Sequence, residues 1–82
     1  MTHDEIRAAV ERALTAVAPE IDPRSIDSAA GLRDQLDIDS VDFLNFIVGV
    51  HTELGVEVPE ADYPQLSTLD ACVRYLAQRL GA

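Results

Sequence analysis

Ser40 is the residue in this chain whose type and position are best suited to chemistry. It lies in the run LDIDSVDFL at residues 36–44, where a long polar connection gives way to an apolar helical pattern. A serine hydroxyl attacks a substrate only when a neighbouring base activates it, but the close neighbours of Ser40 are Asp39 and Asp42. The hydroxyl is therefore better placed to be modified than to act as a nucleophile.

The two histidines cannot supply that base. His51 follows Ser40 by eleven residues on the same predicted helix, a separation of about 16 Å along the helix axis. His3 lies at the start of the first predicted helix. The acidic run around Ser40 also fails as a calcium loop, because Asp42 occupies the glycine position and Val48 the position of the closing glutamate. The sequence predicts neither an enzyme nor a metal site.

Composition limits the class of protein. With 48% hydrophobic and 26% charged residues, the chain is predicted to form one folded domain over residues 1–82. No apolar run approaches the roughly 20 residues of a membrane span. An acidic start without a basic and then apolar leader predicts a cytoplasmic protein, which we expect to be a monomer. The single cysteine, Cys72, excludes an internal disulfide and lies on an apolar helix face, so we expect it to be buried.

The net charge constrains the partners. Fifteen acidic and six basic residues give a formal charge of −9, which opposes binding to nucleic acid and favours basic protein surfaces. The acidity could equally serve only solubility. Composition therefore leaves the identity of a partner open.

Hydrophobic periodicity predicts an all-α fold. A first helix over residues 3–17 begins with a capping box of Thr2 and Glu5. A second helix begins after Asp39 and ends before Gly55, and a last helix begins after Ser67 or Thr68 and stops at Gly81. One or two turns over residues 60–65 precede it. The predicted architecture is a small four-helix bundle of three main helices plus a short third helix, with a long loop between helices one and two.

The same periodicity predicts which side chains are buried. The long loop is expected to be anchored by Ile21, Ile26, Leu32, Leu36 and Ile38, with a short helical turn around residues 29–36. In the last helix the expected core stripe is Leu69, Cys72, Val73, Leu76 and Leu80. In the second helix Phe43, Phe46, Ile47, Val50 and Leu54 should face the core, while Val41, Asn45, Val48 and Thr52 gather on the other side.

The run around Ser40, the acidity, the long first loop and the later ELGVEVP at residues 53–59 together resemble an acyl carrier protein, over roughly residues 6–80. In that family the serine of an Asp-Ser-Leu signature carries 4′-phosphopantetheine, and the matching residue is Ser40. Val41 replaces the usual leucine. The resemblance implies a covalent 4′-phosphopantetheine arm derived from coenzyme A. It also implies transport of acyl thioesters in fatty-acid, polyketide or related biosynthesis.

The resemblance implies partners as well. These are a phosphopantetheinyl transferase and acyltransferases, synthases or other acyl-processing enzymes with basic or apolar docking surfaces. An enzyme that receives the arm must approach Ser40, so we expect a docking face at the start and exposed side of the second helix. Because this helix carries fewer acids than is common in the family, docking should depend less on charge. The residues of that face are Asp39, Val41, Asp42, Asn45 and Val48.

Two alternatives remain open at this stage. An aminoacyl or peptidyl carrier would share the fold and the modified serine, although the acidity and Asp39 favour an acyl carrier. A non-modified helical interaction module would use Asp39 and Ser40 only as a helix cap. The sequence does not name the cargo or the pathway.

Overall fold

The computed structural model describes residues 1–81, and its elements are helical. No strand occurs among these residues beyond an isolated bridge between Gly31 and Thr68. The predicted all-α bundle is confirmed, and the short helix before the last one is a 3₁₀ helix. The elements are α1 (His3–Val17), a 3₁₀ turn (Pro23–Ser25), α2 (Leu32–Leu36), α3 (Ser40–Leu54), the 3₁₀ helix Glu60–Leu66 and α4 (Leu69–Leu80).

The start of α1 has the predicted capping box. The Glu5 N–H donates to Thr2 Oγ1 at 3.1 Å, and the Thr2 N–H donates to Glu5 Oε1 at 2.8 Å. These bonds satisfy backbone donors that have no partner inside the helix. The bond from the Thr2 backbone also lowers the pKa of the Glu5 carboxyl. The observed bounds match the predicted helix over residues 3–17.

Helices α1 and α3 approach each other closely at Gly49. A β-carbon at this position would lie 3.2 Å from the Ala13 Cβ, so the missing side chain lets the two backbones come together. Phe46 and Val50, on either side of Gly49, are fully buried. At the surface Arg12 donates two hydrogen bonds to Glu53, at 3.1 and 3.3 Å, but such solvent-exposed ion pairs contribute little to stability. Apolar packing therefore holds these two helices together.

The long connection between α1 and α3 is fixed to the bundle. Its predicted anchors are confirmed, because Ile26, Leu32 and Ile38 are buried and Ile21 and Leu36 are half-buried against the core. Backbone bonds add to this anchoring. The Leu32 N–H donates to the Ser67 carbonyl at 2.8 Å, and the Asp70 N–H donates to the Ser28 carbonyl at 3.0 Å. These contacts place α2 beside the 3₁₀ helix and the start of α4.

A polar cluster joins the 3₁₀ helix to α4. Asp62 accepts hydrogen bonds from the Tyr75 hydroxyl at 2.7 Å and from Arg79 at 2.8 Å. The Arg79 guanidinium also lies over the Tyr75 ring, 4.9 Å from its centroid. Tyr75 is buried although the predicted stripe of the last helix omitted it, and burial together with the Asp62 bond raises the pKa of its hydroxyl.

No helix within residues 1–81 is both long and apolar enough to cross a membrane.

The predicted core of α3 is confirmed, with Phe43, Phe46, Ile47 and Val50 buried and Leu54 packed against them. In α4 the structure buries Leu69, Cys72 and Leu76 and leaves Val73 and Leu80 partly covered against the core.

Candidate functional site

A tight turn between α2 and α3 positions the candidate site. Asp37 has a φ of 52°, in the left-handed region, which aspartate tolerates better than most residues. The Arg33 carbonyl accepts the Asp37 N–H and, at 3.2 Å, the Ile38 N–H. Because the Ile38 side chain is buried, the turn is fixed against the core just before Asp39.

Asp39 is the N-cap of α3, as predicted. Its backbone is extended, and its carboxylate accepts the Asp42 N–H at 2.8 Å. Its carbonyl accepts the first intrahelical bond, from the Phe43 N–H at 2.9 Å. The cap determines which residue begins the helix, and that residue is Ser40.

Ser40 is exposed and is the first residue of a fifteen-residue helix. Its hydroxyl oxygen accepts a hydrogen bond from Arg33 Nη2 at 3.1 Å. His51 lies in the last turn of the same helix, so it is no base for Ser40. The N-terminal end of a helix carries a partial positive charge and unpaired N–H donors that favour phosphate groups. The hydroxyl, these donors and Arg33 form an environment that fits a phosphodiester.

An open groove of about 920 Å³ lies beside Ser40, between α2, the first turns of α3 and the 3₁₀ helix. Phe43 and Tyr63 both line it and pack edge to face, with ring centroids 6.0 Å apart. Asp34, Asp37 and Glu60 are its acidic lining residues. Its apolar lining residues are Ile38, Phe43, Leu44, Tyr63 and Pro64.

The predicted docking residues lie together around the start and outer side of α3. Asp39, Asn45, Val41 and Val48 are exposed and Asp42 is half-buried. Val41 is 65% exposed and Val48 56% exposed, which is unusual for valine and leaves an apolar surface next to Ser40.

Sequence reasoning missed two residues of this region. Leu44 is 48% exposed, and its spacing of three and four residues from Val41 and Val48 was a signal that all three share one helix face. Arg33 was missed because nothing in the sequence indicated its bond to Ser40, seven residues away.

Comparison with known proteins identifies the family. A family model described as a phosphopantetheine attachment site matches residues 4–76. The acyl carrier protein of Thermotoga maritima is 33% identical over 61 residues, which cover 74% of this chain and 75% of that protein. The chain belongs to the acyl carrier protein family. The acyl carrier protein of Lactobacillus acidophilus is 31% identical over 62 residues, covering 76% of this chain and 78% of that protein.

Other relatives agree with this assignment. The mitochondrial acyl carrier protein of Neurospora crassa is 26% identical over 73 residues, and this chain spans 54% of its length. A solved structure of an acyl carrier protein from Enterococcus faecalis aligns with a TM-score of 0.73, covering 95% of this chain and 98% of that one at 21% identity. That similarity supports the fold. Family membership confirms the acyl carrier interpretation and its 4′-phosphopantetheine group, and it disfavours a module that is never modified.

Two substitutions at Asp39 distinguish its role as a helix cap from the effect of its charge. Asp39→Ala removes the acceptor for the Asp42 N–H and should lower the free energy of unfolding by about 1 kcal/mol. Asp39→Asn keeps an acceptor and should stay within about 0.5 kcal/mol of the parent. Urea unfolding of the three proteins measures this difference. Equal stabilities for the alanine and asparagine variants would contradict the role of Asp39 as the cap.

Proposed function

We propose that this chain carries acyl groups as thioesters on a 4′-phosphopantetheine arm attached to Ser40, in fatty-acid, polyketide or related biosynthesis. The observation that carries the proposal is the position of Ser40. It is exposed at the start of α3, its hydroxyl is bonded to a guanidinium, and it borders an open groove. The match of the chain to acyl carrier proteins supports the choice of cargo class.

We expect the transferase, and not this chain, to catalyse attachment of the arm. The nearest carboxylate in sequence, Asp39, already accepts the Asp42 N–H at 2.8 Å. His51 is about 16 Å away along the helix. We therefore assign the base that accepts the Ser40 proton to the transferase. As the bond from Ser40 Oγ to phosphorus forms, the phosphoanhydride bond of coenzyme A breaks and adenosine 3′,5′-bisphosphate leaves. The carrier contributes an accessible hydroxyl at a fixed position.

The arm has to supply the thiol that binds the acyl group. Cys72 is the chain's single cysteine, and it is fully buried with its thiol donating to the Leu66 carbonyl at 3.2 Å. Burial raises the pKa of the Cys72 thiol to about 12. Because the thiolate is the reactive form, this residue cannot exchange acyl groups at neutral pH. The 4′-phosphopantetheine group, when attached, provides a flexible thiol outside the core.

We also propose that partners dock on the face formed by Asp39, Val41, Asp42, Asn45 and Val48, to which the structure adds Leu44. The exposed valines and Leu44 offer apolar contacts, and the two aspartates offer attraction to basic surfaces. Apolar contacts mainly slow dissociation, whereas exposed charges mainly speed association. The partners of this proposal are a phosphopantetheinyl transferase and acyl-processing enzymes.

We further propose that residues 1–82 form one carrier domain, which acts as a cytoplasmic monomer and is itself not an enzyme. Support for a single domain comes from the buried side chains, which form a single hydrophobic cluster. Within residues 1–81, no cluster of His, Cys, Asp and Glu side chains is arranged to hold a metal ion. Gel filtration with light scattering tests the monomer, and fractionation of the native cells tests the compartment.

Modification at Ser40 is tested by intact mass. Incubation with coenzyme A and a phosphopantetheinyl transferase should add one phosphopantetheine to the parent and none to Ser40→Ala. Circular dichroism should show the same helicity for both, since Ser40 is exposed. A mass gain that persists in Ser40→Ala would move the attachment site elsewhere. The mass of native holo protein with its thioester distinguishes an acyl cargo from an aminoacyl or peptidyl one.

The docking face is tested by Val41→Asp and Val48→Asp. Each should raise the dissociation rate from the transferase and from one acyltransferase or synthase by about tenfold, equivalent to about 1.4 kcal/mol of apolar contact. Both variants should remain folded because the valines are exposed. Gln78→Asp adds the same charge at an exposed position on a different helix, α4, and is the matched control. Folded valine variants that bind as tightly as this control would remove the face from the mechanism.

A further inference from the structure

We propose that Arg33 binds the phosphodiester of the arm and thereby holds the base of the arm against the start of α3. This inference rests on the proposed attachment to Ser40. Arg33 Nη2 already donates to Ser40 Oγ at 3.1 Å. In the modified protein that oxygen becomes part of the phosphodiester, and the charged non-bridging oxygens lie two bonds away from it, on the phosphorus. A guanidinium is well matched to such oxygens, because it presents several N–H donors in one plane.

The backbone holds Arg33 in place relative to Ser40. The preceding residue, Leu32, is fully buried, and its N–H is bonded to the Ser67 carbonyl at 2.8 Å. The Arg33 carbonyl accepts the N–H groups of Asp37 and Ile38, the turn that leads into α3. The side chain of Arg33 therefore extends from a fixed backbone toward Ser40. Little backbone entropy has to be lost when it meets the phosphate.

Arg33 is one of two arginines, with Arg74, that form no ion pair with a carboxylate within residues 1–81. Within residues 1–81 the carboxylate pairs of the structure use the arginines at positions 7, 12, 24 and 79. The Arg33 guanidinium instead donates a hydrogen bond to the Ser40 hydroxyl, although Asp34 and Asp37 line the same groove. A phosphodiester placed among these acids would be repelled. A nearby guanidinium offsets that repulsion where the arm begins.

A double-mutant cycle, with the arm as one of the two changes, tests this inference. The free energy of unfolding is measured in urea for the apo and holo forms of the parent and of Arg33→Gln. At low salt, attaching the arm should increase the unfolding equilibrium constant about two- to fivefold more in Arg33→Gln than in the parent. This difference should shrink at 0.5 M salt, because ions screen exposed charges. Arg33→Lys should differ from the parent less than Arg33→Gln does, since lysine keeps the charge but loses the planar donors.

The phosphorus resonance of the holo protein gives a second readout that does not depend on stability. Arg33→Gln should shift this resonance in the folded protein, and the parent and variant should coincide in 8 M urea. Arg24→Gln is the matched control, because it removes the same charge from an exposed residue whose side chain, within residues 1–81, is hydrogen-bonded to Asp22. It should leave both the resonance and the cycle unchanged.

The outcomes separate this inference from the proposed function. If no arm is added to Ser40 in the parent, the proposed function fails. If the arm is added but the cycle shows no coupling and the phosphorus resonance is the same in Arg33→Gln and Arg24→Gln, only the role of Arg33 is overturned. Coupling and a resonance shift confined to Arg33 variants support it.

Discussion

The hydrogen bond between the Asp39 carboxylate and the Asp42 N–H determines where α3 begins, and the geometry of the candidate site depends on that point. If the helix began one residue later, Ser40 would itself be the cap and its hydroxyl would turn toward the backbone donors. With Asp39 as the cap, the Ser40 hydroxyl is exposed at the positive end of the helix and free to receive a phosphate group. One capping interaction thus links a local sequence pattern to the geometry of the proposed attachment site.

The apolar core fixes the positions of the helices and the turn around that cap. Ile38 and Phe43 are buried on either side of Ser40, so the backbone cannot shift there without exposing apolar surface. Leu32 anchors α2 on one side of the groove, while Asp62 ties the 3₁₀ helix on the other side to α4 through Tyr75. The charged and exposed residues of the site contribute little to stability by comparison. Buried side chains therefore provide most of the stability, while the proposed docking face is largely exposed.

Most of the fold could be predicted because its signals are local. The capping box of Thr2 and Glu5, the cap at Asp39 and the stop at Gly55 lie within a few residues of the elements that they define. The anchors of the long loop could be predicted because apolar side chains in a small domain have one core to enter. Ser40 was proposed as the attachment site from its place between these signals and from the resemblance of the surrounding residues to the family signature.

The remaining features depend on contacts between distant parts of the chain. The burial of Tyr75 requires a partner for its hydroxyl, and Asp62 is thirteen residues away. The role of Gly49 depends on its approach to Ala13 in another helix. The bond from Arg33 to Ser40 depends on the left-handed turn at Asp37, where a non-glycine residue gives no clear sequence signal. Leu44 differs from these residues, since its spacing from Val41 and Val48 was visible in the sequence.

We propose that the working thiol of this protein is carried on Ser40, whereas the chain's own thiol, on Cys72, is part of the core. A thiol titration of the native protein at pH 8 with a chromogenic disulfide reagent tests it directly. We expect no rapidly reacting thiol in the apo protein, one in the protein treated with transferase and coenzyme A, and none in similarly treated Ser40→Ala. Rapid reaction of Cys72 in the folded apo protein would show that the chain's own thiol is accessible, and a new thiol in Ser40→Ala would show that the arm is attached elsewhere.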